Sequence, residues 1–114
     1  MTRPKPRILF CDDEERVLNG LVRALRGKVD VVTANGPEEA LAIVAEAEPF
    51  HVIVSDFRMP KMNGAELLAK MRELSPNSVR VLFTGQADLE TVMEAVNRGH
   101  VFRVLLKPCD KQTL

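Results

Sequence analysis

Three acids, one threonine and one lysine draw attention because each follows directly on a short apolar run. Asp12 and Asp13 follow Ile8-Leu9-Phe10-Cys11, Asp56 follows Val52-Ile53-Val54-Ser55, Thr84 follows Val79 to Phe83, and Lys107 follows Val101 to Leu106. Singly each is ordinary, since acids cap helices and threonines satisfy loop backbone. Brought together, they become chemically coherent. Three carboxylates in one pocket repel, so either their pKa values rise or a cation binds among them. A hard divalent ion, Mg²⁺ or Mn²⁺, suits carboxylate and carbonyl oxygens. Asp13 and Asp56 would hold it, with the backbone carbonyl of Arg58 as a third oxygen and Asp12 acting mainly through water. Asp56 could then attack a phosphorus atom in line and form an acyl phosphate. Lys107 would meet one phosphoryl oxygen with positive charge and Thr84 another with its hydroxyl, while Gly85 leaves room for the approach.

The elements that must position these residues repeat along the chain. The first run, Ile8 to Cys11, lacks alternation and is too short for a helix, which predicts a strand buried on both faces, and the other runs, with Val29 to Thr33 as the second strand, repeat the phrase. Between them lie helical patterns. Val17, Leu18, Leu21, Val22 and Leu25 share one face, with Gly27 as the stop. Asn35-Gly36-Pro37 opens a second helix with Ala40, Leu41, Ile43, Val44 and Ala47 inward, closed by Pro49. A third spans Gly64 to Leu74, with Leu67, Leu68 and Met71 inward, and a fourth runs from about Asp88 to Arg98 before Gly99. Alternating strands and helices imply right-handed crossovers and an α/β, doubly wound, five-stranded parallel sheet with helices on both faces. The expected strand order is 2-1-3-4-5, which gathers ligands at the carboxyl ends of the strands. Residues 1–7 read as a flexible lead-in and 8–114 as one domain. Cys109 to Leu114 suffice for about one helical turn, so the fifth helix looks truncated and more chain is expected to follow.

Bulk composition excludes several classes. With 114 residues, 46% hydrophobic and 28% charged, the chain suits one soluble domain. Sixteen basic residues balance sixteen acidic ones, so no net field attracts nucleic acid or an anionic membrane. No apolar stretch approaches membrane-span length and the start resembles no signal peptide, making the cytoplasm the expected compartment. Cys11 and Cys109 form neither a disulfide framework nor a metal motif, and both read as structural. His51 and His100 likewise read as structural.

The blocks ILFCDDEERVLNGL, VIVSDFRMPKMNGAELL, VLFTGQAD and LLKP resemble the signature regions of response-regulator receiver domains in two-component signalling. The resemblance runs from Ile8 to Pro108, and DFRMPKMNG is its most specific part. It implies phosphoryl transfer onto Asp56 from the phosphohistidine of a sensor histidine kinase or phosphotransfer protein. It also implies Mg²⁺ dependence, slow self-hydrolysis, and a signalling domain rather than an enzyme with a separate substrate. An output surface of the fourth helix, fifth strand and fifth helix would face an output domain or downstream protein, and could support a homodimer. The segment from Phe83 to Asp110 is similar to receivers joined to HD-GYP phosphodiesterase domains or to transcriptional regulators.

The pattern departs from that family at Val104, where an aromatic residue is usual. Phe102 lies two residues earlier on the same expected strand face, where it could stand in as the switch residue, though burial tendency favours a core role. Arg58 and Gln86, two positions after Asp56 and Thr84, are expected to tune phosphoryl lifetime, with the Arg58 side chain reaching or shielding the phosphoryl region. Other readings fit less well. A receiver-like module working without phosphorylation would not need all five hallmark side chains. A dehalogenase-type phosphatase wants Asp-x-Asp after its first strand. A flavodoxin-like carrier needs a hydroxyl-rich loop and aromatic walls, and this chain has no Trp or Tyr.

Overall fold

The structure is a computed structural model, and it describes residues 5–99 and 102–107. In chain order they form β1 (Arg7–Asp12), α1 (Glu15–Leu25), β2 (Asp30–Asn35), α2 (Pro37–Glu46), β3 (Val52–Asp56), α3 (Gly64–Leu74), β4 (Val79–Thr84), a 3₁₀ turn (Gln86–Asp88), α4 (Leu89–Asn97) and β5 (Arg103–Leu106). The strands make one sheet in the order β2-β1-β3-β4-β5, and every neighbouring pair is parallel. The expected fold and strand order are both observed.

Two apolar layers explain the unbroken hydrophobic runs. Register places Leu9 beside Ile53 and Phe10 beside Val54. Leu9 and Ile53 enter the larger core with Ala40, Val44, Leu67, Leu68, Met71 and Val92, from α2, α3 and α4. Phe10 and Val54 face the other way and meet Leu18 of α1. Because side chains alternate along a strand, a strand covered on both faces must be apolar at every position. Among the described residues α1 alone covers the second face, and Val81 and Phe83 there are only partly buried. The expected short fifth helix, Cys109 and His100 lie outside the described residues.

Helix ends follow local chemistry. Gly27, Gly36 and Gly99 all have positive φ, at 83°, 99° and 93°. Gly27 and Gly99 thereby end α1 and α4, and Gly36 turns the chain into Pro37 at the first position of α2. Asn63 caps α3 reciprocally: its side chain accepts from the Glu66 N–H at 2.9 Å while Glu66 reaches back to the Asn63 N–H.

Two expected boundaries shift. Arg7 belongs to β1 rather than to the lead-in, since its N–H donates to His51 Nδ1 at 2.9 Å and its carbonyl accepts from the His51 N–H. His51 is thus structural, as expected. Phe102 precedes β5 instead of lying in it, yet it packs with Val104 against the larger core.

Candidate functional site

The parallel sheet delivers its loops to one edge, and the chemistry-bearing residues arrive there from four strands. Asp12 ends β1, Asp56 ends β3, Thr84 ends β4, and Lys107 directly follows β5. Carboxylate oxygens of Asp12, Asp13 and Asp56 lie within 4.8 Å of one another. Lys107 Nζ donates to Asp56 Oδ1, and the backbone N–H of Lys107 donates to the Thr84 carbonyl at 2.9 Å. That second bond fixes the lysine beside Thr84. A hollow of about 500 Å³ is lined by Asp13, Asp56, Arg58, Thr84, Gln86 and Lys107, together with Gly85 and Asp88. Asp12 instead lines an adjoining pocket that Asp56 and Lys107 share, and the other residues singled out for phosphoryl or metal chemistry border this one hollow.

The electrostatics of the cluster favour a positive partner. Asp12 is buried, and desolvation pushes its carboxyl above the usual range. A hydrogen bond from the Glu14 N–H, 2.9 Å from Asp12 Oδ1, opposes the rise. The negative charge of Asp56 adds to it, Lys107 counters it, and Asp13 contributes a smaller increase. One ammonium, 46% exposed at Lys107, faces three carboxylates, so the set retains excess negative charge. Hard oxygen donors with uncompensated charge fit a divalent ion such as Mg²⁺.

Thr84 is almost fully buried, and its Oγ1 donates to the Gly85 carbonyl at 3.2 Å, a weak bond that a better acceptor could displace. A methyl group added at Gly85 would meet no protein atom within 4 Å. Packing does not require glycine there, and the space above it is open toward the hollow.

The charge crowding has a measurable consequence. Asp12→Asn should stabilise the metal-free protein by about 1 kcal/mol, a few degrees in Tm, because it removes one of three mutually repelling charges while keeping an acceptor for the Glu14 N–H. The sign follows from the raised carboxyl. Its penalty is absent below the ordinary carboxylate range and appears as pH rises through the raised folded value. Thermal melts in a chelator at acid and neutral pH check this. A lower Tm for the variant at neutral pH would contradict it.

Comparison with known proteins bears on this geometry. The family profile of the response regulator receiver domain matches residues 8–114. The chain belongs to that family. This receiver is 34% identical over 108 residues to the hydrogenase transcriptional regulatory protein HoxA of Cupriavidus necator, covering 95% of this chain and 22% of that protein. It is 36% identical over 110 residues to the regulatory protein AtoC of Escherichia coli, covering 95% of this chain and 23% of that protein. The receiver thus spans under a quarter of the length of these two relatives. Among solved structures, the adenylate cyclase from Rhodopirellula baltica superposes with a TM-score of 0.86 at 49% identity, over 93% of this chain and 78% of that one. The signal receiver domain of an HD domain-containing protein from Pseudomonas fluorescens Pf-5 gives 0.84 at 32% identity, over 98% and 82%. The expected likeness to receivers of HD-domain and transcriptional proteins is therefore observed. No helix among the described residues is long and apolar enough to cross a membrane.

Some of the receiver's features escape sequence reading. The Arg58 guanidinium borders the hollow but is held by Asp88, with Nε 2.6 Å from Oδ2 and a second bond of 2.9 Å to Oδ1. That hydrogen bond, with the charge behind it, holds the Asp88 carboxyl below its ordinary range. Gln86 is exposed and opens the 3₁₀ turn at the rim. Cys11 is buried beneath the site, its Sγ 3.6 Å from Met59 Sδ, and desolvation pushes its thiol up to about 12. At neutral pH almost no thiolate exists, so native protein treated with iodoacetamide should leave Cys11 unmodified, whereas denatured protein should react fully. Peptide mass spectrometry reads both states, and native labelling of Cys11 would refute its inertness.

Proposed function

We propose that this receiver accepts a phosphoryl group on Asp56 from the phosphohistidine of a sensor histidine kinase or phosphotransfer protein, and that the modification switches a surface read by an output domain or downstream protein. The observation that carries the reading is the convergence on Asp56: its carboxylate accepts from Lys107 and lies within 4.8 Å of two further carboxylates. Asp12, Asp13, Asp56 and the Arg58 backbone carbonyl would hold Mg²⁺, or Mn²⁺. When bound, the ion offsets the negative charge that otherwise repels an incoming phosphoryl group.

The remaining work falls to side chains. Lys107 orients the Asp56 carboxylate before transfer and would then share a phosphoryl oxygen as a compact point charge. The Asp56 carboxylate oxygen forms its bond to phosphorus as the phosphorus–nitrogen bond of the donor breaks. The leaving imidazole keeps that electron pair and takes up a proton. Thr84 would turn its hydroxyl from the Gly85 carbonyl to a phosphoryl oxygen, a gain because charged acceptors bind more strongly than neutral ones. Gln86 and Arg58, at the rim, would tune how readily water enters. The domain acts on itself rather than on a separate substrate, in the cytoplasm.

Readout would use α4 and β5, where Met93 and Leu106 are exposed apolar residues suited to a partner or to a second receiver. Incubating the protein with Mg²⁺ and acetyl phosphate and measuring intact mass tests the proposal. One added phosphoryl group is expected. No addition would favour an interaction module that works without phosphorylation.

A further inference from the structure

Asp88 has two competing uses. It is the N-cap residue of α4, the position at which an aspartate normally accepts from the free N–H groups of the first turn. Here it makes no side-chain cap bond, and its backbone (φ −100°, ψ −1°) is helical rather than extended. Both carboxylate oxygens are instead taken by the fork of Arg58, while the Asp88 N–H closes the 3₁₀ turn on the Gly85 carbonyl at 3.1 Å. The Leu89 N–H that opens α4 goes to the Gln86 carbonyl of the 3₁₀ turn, and Asp88 lends the helix no side-chain cap while it holds Arg58.

Arg58 also has two potential partners. It follows Asp56 by two residues and borders the same hollow, so a phosphoryl group on Asp56 would appear within the space it lines. A phosphoryl group offers three strong acceptor oxygens and more negative charge than a carboxylate, and guanidinium pairs with it in a bidentate way. Resting on the phosphoacceptor reading above, we propose that the Arg58–Asp88 fork is a latch that phosphorylation opens. Arg58 transfers to the phosphoryl oxygens, and the freed Asp88 carboxylate unwinds the 3₁₀ turn and caps α4. The loss of the ion pair is offset at both ends, because a carboxylate at a helix N-terminus is favoured by the exposed N–H groups and the helix dipole. Such an element has two discrete arrangements and connects the chemistry at Asp56 to the helix bearing exposed Met93. Asp88 is a positioning residue in this scheme, since it acts through Arg58 and α4.

Amide hydrogen exchange at Glu90 and Thr91, the second and third residues of α4, reads the cap directly. With Mg²⁺ and beryllofluoride as a phosphoryl mimic, these two amides should exchange about fivefold more slowly, the effect of a typical N-cap. Arg58→Ala should show that protection before any beryllofluoride is added, because Asp88 is already released. Asp88→Asn should do the same, since asparagine caps well but holds Arg58 weakly. Asp88→Ala should show it in neither condition. Unchanged exchange in Arg58→Ala, or protection that beryllofluoride still induces in Asp88→Ala, would overturn the latch. Uptake of phosphoryl from acetyl phosphate separates the two readings. If the parent takes it up and the α4 amides do not respond, the latch fails alone; if it takes up none, the receiver chemistry fails, and the latch fails with it as a response to phosphorylation.

Discussion

Asp56→Asn is expected to abolish phosphoryl uptake from acetyl phosphate while leaving the fold intact. The amide keeps the shape of the carboxylate and an oxygen that accepts from Lys107, so the contact at the end of β3 survives in weakened form. What disappears is the nucleophile, because an amide oxygen lacks the anionic charge that attacks phosphorus. Divalent-ion affinity should fall by about tenfold or more as one of three anionic ligands is lost, which titration followed by thermal shift would measure. Stability in a chelator should change little, since relief of repulsion with Asp12 and Asp13 offsets the weakened bond to the half-exposed Lys107. Intact mass after incubation is the decisive readout. Phosphoryl uptake by the variant would move the acceptor role to Asp13, which lines the same hollow, or to Asp12 close beside it.

How much of this was legible in sequence depends on whether the signal is local. Short apolar-rich runs recurring between helical patterns located all five strands, and in β1 the unbroken run carries the mark of burial on both faces. Pro37 set the start of α2 correctly, since it satisfies helix N-terminal geometry by itself. The convergence of Asp12, Asp13, Asp56, Thr84 and Lys107 was legible because a parallel sheet carries every strand end to one edge. Interactions between distant segments were not. Arg58 and Asp88 are 30 residues apart, and nothing in either neighbourhood marks them as partners. Asp88 instead reads as an ordinary helix start, the role from which Arg58 diverts it. Phe102 was placed on the last strand by an apolar run that starts before the point where pairing begins at Arg103.

Gly64 belongs to the same illegible class, and it leads to the second large expected effect. The residue opens α3 without a positive φ, so conformational freedom does not explain it. Space does. A Cβ at Gly64 would lie 2.2 Å from the Asp56 carbonyl oxygen and 2.6 Å from Leu82 Cδ1. Neither neighbour can retreat cheaply. Leu82 is fully buried in the larger core, and Asp56 is held in register against Phe83, whose carbonyl accepts from the Phe57 N–H at 2.9 Å. The Gly64 N–H in turn donates to the Phe57 carbonyl at 2.8 Å, tying α3 to the phosphoacceptor loop. Gly64→Ala should therefore cost about 3 kcal/mol, at the upper end for overpacking and a large share of a small domain's stability. Because the displaced backbone is that of Asp56 itself, phosphoryl uptake should slow by about a hundredfold, even under conditions where the variant is fully folded. Urea melts and a time course with acetyl phosphate measure the two effects separately. Gly20→Ala supplies the contrast, since a Cβ there meets nothing within 4 Å. On an exposed face of α1 it should add about 0.5–1 kcal/mol of stability and leave uptake unchanged. Equal tolerance of alanine at both positions would mean that the first turn of α3 can back away from β3, and that its close approach does not hold Asp56 in place.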